Sequence, residues 1–161
     1  MSHWIATFFG IGHMRPAPGT WGSLAALPVA YIWVALIGAP FFAASIVALY
    51  YIGLWATIRE TAGKDDHDPS EIVIDEVVGQ WIALLPIVVY TFYTNAPLLA
   101  LWPAWIAAFA LFRLFDITKP WHVGQADRRD DATGVMLDDV IAGIYAAIGV
   151  CALGVAYIIF G

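Results

Sequence analysis

Glu71-Ile72-Val73-Ile74-Asp75-Glu76-Val77-Val78-Gly79 is the stretch that decides how this chain is read. It places three carboxylates, Glu71, Asp75 and Glu76, at the head of an apolar run long enough to cross a membrane. Ionised groups at that depth are costly, so acids found there mark a functional site by default. A second stretch, Asp138-Asp139-Val140-Ile141-Ala142-Gly143, repeats the arrangement at the head of the last apolar run. In each, a glycine follows one acid by four residues, Asp75 to Gly79 and Asp139 to Gly143. Four residues is about one helical turn, so acid and glycine share a face. A glycine on that face lets a neighbouring helix come close, which would bring the two acidic pairs together.

Outward from these motifs the chain is apolar. Of its 161 residues, 61% are hydrophobic and only 12% charged, and its mean hydropathy is +0.78. A soluble domain carries roughly a quarter charged residues. The composition predicts an all-α polytopic membrane bundle, with one domain covering 1–161. The net charge of −6 argues against nucleic acid as a partner. The single cysteine, Cys151, lies in the last apolar run, which excludes a disulfide framework and a cysteine metal site. A thiol there is also too deep to attack a polar substrate. The first twenty residues lack the basic start and cleavage site of a signal peptide and are expected to stay in the mature protein.

The apolar runs are 24–37, 41–58, 72–93, 98–115 and 136–160, each near the roughly 20 residues a spanning helix needs. The first is short and holds Pro28, which predicts a kinked or displaced start. With five spans, the N-terminal segment, loop 59–71 and loop 116–135 emerge on one side. All seven lysines and arginines belong to that side, which the positive-inside rule assigns to the cytoplasm. The chemistry is therefore expected at one membrane surface, the cytoplasmic interface. Within the N-terminal segment, Trp4, Ile5, Phe8 and Phe9 either lie in the interface or pack on the bundle. Thr20 and Ser23, after Pro16-Ala17-Pro18-Gly19, are candidate helix N-caps, and the glycine-rich backbone there also suits an anion.

Loop 59–71 carries Asp65, Asp66, His67 and Asp68, a charge run of the kind that is usually solvated. The Asp75-Glu76 pair differs, because favouring a helix N-terminus accounts for Glu71 but poorly for acids more than a turn inside. Arg113, Asp116 and Lys119 recur every three residues and lie together if the helix continues that far. They form either a surface ion pair or a phosphate-binding group beside a metal site, since arginine matches phosphate oxygens bidentately. Loop 121–135 adds Asp127, Arg128, Arg129, Asp130 and Asp131, then Gly134 before the second acidic pair, and leaves the role of His122 open. Four to six carboxylates meeting at one interface need neutralising, and a hard divalent cation with oxygen ligands does this, Mg²⁺ best.

Four segments in this order, PAPGTWGSLAALP, IVIDEVVGQW, FRLFDITKPW and GVMLDDVIAG, resemble the phosphatidylglycerophosphatase A family. The resemblance runs from about Pro16 to Gly143. It implies an integral, Mg²⁺-dependent lipid phosphatase of the bacterial cytoplasmic (inner) membrane, converting phosphatidylglycerophosphate to phosphatidylglycerol on the cytoplasmic face. It also implies that Asp75, Glu76, Asp138 and Asp139 are the acidic catalytic and metal-binding residues. Arg113, Lys119 and Arg128 are expected to bind the substrate phosphate, with Glu71, Asp116, Asp127 and Thr20 in support. His122 and Gly124 depart from the family pattern, as does Asp130-Asp131-Ala132-Thr133. The sequence holds no Asp-x-Asp-x-Thr or paired-histidine phosphatase motif, so water is the expected nucleophile. The rival reading is a cation- or proton-coupled transporter, against which the one-sided charge distribution counts.

Overall fold

The computed structural model describes residues 1–64, 69–129 and 131–160, so the acidic run 65–68 with His67, and Asp130, lie outside the described residues. Among those described, every regular element is helical. Five helical segments are long and apolar enough to cross a membrane: α2 (Pro18–Ile37), α3 (Ala39–Thr61), α4 (Ile74–Thr94), Leu98–Thr118, in which a 3-10 turn (Leu98–Leu101) runs into α5 (Trp102–Thr118), and α7 (Ala132–Phe160). A short α1 (Ser2–Ala6) and the 3-10 turn Ile11–His13 precede them, and α6 (His122–Asp127) sits between α5 and α7.

The five expected runs all form helices, but several bounds and caps differ, each for a local reason. α2 starts at Pro18 because proline suits the first helical position, where its missing N–H is not needed. Pro28 lies within the helix without ending it. Thr20 is therefore a first-turn and Ser23 a second-turn residue, and neither is the cap; Ala17 is the N-cap, and the Ser23 hydroxyl donates back to the Gly19 carbonyl at 2.7 Å. α7 starts at Ala132, where Asp131 Oδ1 accepts the Gly134 N–H at 2.6 Å as an N-cap. A hydrogen bond from Arg129 and this Gly134 N–H hold the Asp131 carboxyl below its ordinary range. The expected loop 116–135 is interrupted by α6.

Glu71 requires a larger correction. The Ile72 N–H donates to Pro69 O at 2.8 Å and the Val73 N–H to Ala6 O at 2.9 Å, committing 69–73 to a turn against the N-terminal segment. α4 consequently begins at Ile74, so Glu71 lies outside it and shares no helix face with Asp75. Asp75 and Glu76 then occupy the first turn, where the helix dipole favours acids, and not a position deeper inside.

α4 is the central helix, packing on α2, α3, α5 and α7. Of its apolar window 56% is buried, against 17–28% for the other four. The outward faces of those four carry exposed large apolar side chains such as Leu36, Tyr51, Ile106 and Ile158, the pattern of a bundle whose surroundings are apolar. Inside, Trp81 of α4 donates its indole N–H to Ala26 O of α2 at 3.1 Å and packs on Phe42 of α3. Gly38, at φ +94, joins α2 to α3 in a conformation that glycine adopts without strain.

α4 and α7 meet backbone to backbone at the two glycines singled out above. A Cβ on Gly143 would lie 2.4 Å from Gly79 O, and one on Gly79 would lie 2.6 Å from Asp139 O. Gly143→Ala should therefore force the helices apart and lower stability by about 1–3 kcal/mol, the usual cost of overpacking. Gly154→Ala, where nothing lies within 4 Å, serves as the control. Thermal unfolding in detergent reads the difference; equal melting temperatures for the two variants would contradict this contact.

Candidate active site

The N-terminal ends of α2, α4 and α7 and the C-terminal end of α5 surround a cavity of about 300 Å³ at one end of the bundle. Asp75, Glu76, Asp116, Asp138, Asp139, Arg113 and Lys119 all line it. The sequence-predicted acids and two of the three predicted cations thus converge. Arg128, exposed after α6, and Thr20, Glu71 and Asp127 are not among the lining residues.

The two acidic pairs are organised alike. Glu76 N–H donates to Asp75 Oδ1 at 3.0 Å, and Asp139 N–H donates to Asp138 Oδ1 at 2.9 Å. In each pair the first acid is thus fixed against the following backbone N–H. Across the α4–α7 contact, oxygens of Asp75, Glu76 and Asp139 lie within 4.8 Å of one another, close enough to share one cation. Glu76 Oε2 and Asp139 Oδ1 are buried with no hydrogen-bond partner among the described residues. Buried acceptors are rarely left so.

Asp138, expected in the same metal-binding set, belongs instead to a neighbouring ion cluster. Lys119 Nζ donates to Asp138 Oδ2 at 2.9 Å and also to Asp127. The reason is the end of α5: the helix stops at Thr118, and Lys119 takes a left-handed conformation at φ 45. The Arg113-Asp116-Lys119 ladder therefore ends early. Arg113 pairs with Asp116, one turn on, while Lys119 reaches across to α7. Burial lowers the Lys119 pKa, but the hydrogen bonds and charges of Asp127 and Asp138 outweigh it and hold the ammonium above the ordinary value of 10.5.

Arg113 is the cation nearest the triad. Its Nη1 stands 3.8 Å from Glu76 Oε1 and 3.4 Å from the Ser23 hydroxyl, and its buried Nε has no partner among the described residues. Gly19 makes this approach possible: a Cβ there would sit 1.9 Å from Glu76 Oε1 and 3.1 Å from Arg113 Nη1. Sequence reasoning named Thr20 and Ser23 as polar residues of this stretch, but the wall itself is Ala17, Pro18 and Gly19. That stretch is the glycine-rich helix start already read in the sequence as suited to an anion. His122, whose role the sequence left open, makes a 2.7 Å hydrogen bond with the Tyr145 hydroxyl and does not line the cavity.

Five apolar helices enclosing, at one end, a carboxylate triad beside an arginine define a helical membrane protein with an acidic cavity at one end of its bundle. Comparison with known proteins gives the family. The phosphatidylglycerophosphatase A family profile matches residues 4–154, and the chain belongs to that family. Phosphatidylglycerophosphatase A of Haemophilus influenzae is 40% identical over 152 residues, covering 94% of this chain and 87% of the relative. The Escherichia coli protein of that name is 36% identical, covering 90% of this chain and 78% of its own length. A Bacteroides thetaiotaomicron protein named "Putative phosphatidylinositol-3-phosphatase" is 41% identical, covering 89% and 87%. No solved structure matches the chain.

The Lys119 geometry fixes a pH expectation. A folded-state pKa above 10.5 means the group's stabilising contribution is complete below its unfolded value and is lost only as pH rises through the folded one. Lys119 should therefore stay charged, and the rate profile from about pH 6 to 9 should show no falling limb from it. A limb in that range that moved in Lys119→Arg would contradict the assignment.

Proposed function

We propose that the chain hydrolyses phosphatidylglycerophosphate to phosphatidylglycerol and phosphate, with Mg²⁺ held by Asp75, Glu76 and Asp139. The observation that carries this reading is the carboxylate triad, within 4.8 Å, facing Arg113 in one cavity. The donor set fits the ion. All its atoms are carboxylate oxygens, two of them buried without partners, and oxygen-only sites favour hard cations. The charge count agrees, because five carboxylates line the cavity against two cations, Arg113 and Lys119. When bound, Mg²⁺ would lower the pKa of a coordinated water and neutralise charge developing on the phosphoryl oxygens.

The chain's own residues supply the rest. Arg113 offers its unpartnered Nε and its Nη1 to the phosphate oxygens, with Asp116 holding the guanidinium in place. A triad carboxylate takes the proton of the attacking water as the water oxygen bonds to phosphorus and the bond to the glycerol oxygen breaks. The departing alkoxide leaves with a proton from solvent at the cavity mouth. Lys119, clasped by Asp127 and Asp138 and held charged, acts electrostatically. Arg128 is exposed and joins only as part of the surface that the headgroup approaches.

The placement suits a lipid. Acyl chains remain among the apolar outer faces while the phosphate reaches one end of the bundle. The excess of lysine and arginine on that side favours the cytoplasmic face of the inner membrane. A transporter would need polar groups along a path through the bundle, and no charged residue occurs in 77–112 or 140–161.

Phosphate release by purified protein from phosphatidylglycerophosphate should vanish in excess chelator and return with Mg²⁺. Release at the same rate from phosphatidylinositol 3-phosphate would show that the headgroup assignment is too narrow. Full activity in chelator, with metal absent by elemental analysis, would remove the ion.

Asp75→Asn and Asp139→Asn should each lower kcat by about 10²-fold or more while leaving the metal-free protein as stable or more so, since each relieves repulsion. Arg113→Gln should raise KM as well as lower kcat. Near-normal turnover in both asparagine variants would mean that the acids serve only as helix-start residues.

A further inference from the structure

A second group of potential ligands lies at the same end of the bundle and shares no residue with the cavity. His3 of α1 and His13 of the following 3-10 turn face each other with their Nε2 atoms 3.2 Å apart. Their ring centroids are 5.2 Å apart, so the rings meet edge to edge through these nitrogens and do not stack. On the far side of His3, Nδ1 lies 3.1 Å from Glu60 Oε2 near the C-terminal end of α3. Both histidines are exposed.

Three features of this arrangement point to a metal ion. With His3 Nδ1–H donating to Glu60, its Nε2 is a bare lone pair, as a metal-bound imidazole requires. A carboxylate on the back nitrogen of a ligating histidine is the recurrent supporting contact at such sites. The 3.2 Å separation also matches the edge of a tetrahedron, about 3.3 Å, around an ion with nitrogen bonds of about 2.0 Å.

The backbone that creates the pair is strained. Phe8, Phe9 and Gly10 take consecutive left-handed conformations at φ 45, 58 and 89, folding the chain back so that His13 meets His3. Two adjacent phenylalanines in that region are uncommon, and such outliers concentrate where function needs them. Buried Thr7 braces the reversal, its hydroxyl donating to His3 O at 2.7 Å and accepting the Gly10 N–H at 3.1 Å.

We propose that His3 and His13 bind a borderline transition-metal ion of the Zn²⁺ class through their Nε2 atoms, with Glu60 orienting His3 and water filling the open positions. Imidazole nitrogens select such ions over Mg²⁺. The bound ion clamps α1 to the following 3-10 turn, and the Glu60 contact ties the clamped pair to α3. The N-terminal segment already receives the Val73 N–H on Ala6 O and packs Gly12 on the Glu71 carbonyl, where an added Cβ would lie 1.9 Å away. The clamp therefore tightens the turn from which α4 starts.

The test uses untagged full-length protein in detergent with saturating Mg²⁺, titrated with Zn²⁺ against a chromophoric chelator. The wild type should bind one Zn²⁺ that Mg²⁺ does not displace, and its melting temperature should rise. His13→Gln, an exposed substitution, should lose this binding while keeping the metal-free melting temperature; His3→Gln should behave likewise. Glu60→Gln should weaken binding by about 10- to 100-fold, the usual cost of removing the group behind a ligand. Glu76→Gln and His122→Gln should leave it intact, which separates this site from the acidic cavity and from the remaining described histidine. Undiminished Zn²⁺ binding in His13→Gln and His3→Gln, or none in the wild type, would overturn the proposal and leave an ordinary hydrogen bond between two imidazoles.

Discussion

The backbone of α4 lies directly against that of α7 at Gly79 and Gly143, and the candidate site depends on that contact. Each glycine sits four residues after an acid, so the close approach of the helices is also what brings Asp75 and Glu76 to Asp139. A side chain at either position would push the triad apart, since Phe112 Cε2 already lies 2.4 Å from where a Gly79 Cβ would be. Helices in apolar surroundings associate mainly through close packing, because lipid offers little hydrophobic drive between them. Here the same small residues serve packing and the placement of the acids.

Bringing these acids together opposes folding. Asp75, Asp138 and Asp139 are buried, and nearby charges of one sign repel strongly where water is excluded. The protein offsets part of this locally. Asp75 and Asp138 each accept a backbone N–H, Arg113 holds Asp116, and Lys119 is shared by Asp127 and Asp138. The oxygens left over, on Glu76 and Asp139, are those of the triad. Compensation is thus partial around the site and least at the Glu76 and Asp139 oxygens. A site evolved only for stability would have been filled with apolar side chains, which often do better than buried ions.

Much of this was legible in the sequence. Apolar runs separated by Gly38-Ala39-Pro40 and Asn95-Ala96-Pro97 mark helices wherever their amplitude is large, and the acid-to-glycine spacing marks a face. What failed did so where backbone bonds outside the helices decide the outcome. No periodicity reveals that Ala6 O receives the Val73 N–H, which removes Glu71 from α4 and turns Asp75 and Glu76 into first-turn residues. Nor does a spacing of three reveal that α5 stops at Thr118, which sends Lys119 to Asp138. Arg128 carried the right charge in the right loop, but α6 leaves it exposed. The His3–His13 pair was equally hidden, because residues ten apart meet only through a left-handed reversal at two phenylalanines.

The geometry also divides the labour of recognition. In the proposed reaction a phosphate monoester would present the same oxygens to Arg113 and the carboxylates whatever alcohol carries it, so these groups would not choose between headgroups. Choice must come from walls that the alcohol touches. Those walls are Ala17, Pro18 and Gly19, together with Ser70, Ile72, Ile117 and Val135. They are small or apolar, and Ser70 alone among them offers a side-chain hydrogen-bonding group, already contacted by Arg15 at 3.2 Å. Such a rim can exclude by shape but has few donors with which to read a polyol. A pocket that discriminates by shape alone separates close analogues by only about 1–3 kcal/mol. Headgroup preference in this fold should therefore change readily with substitutions along 17–19 and 70–72, while the triad and Arg113 stay as they are.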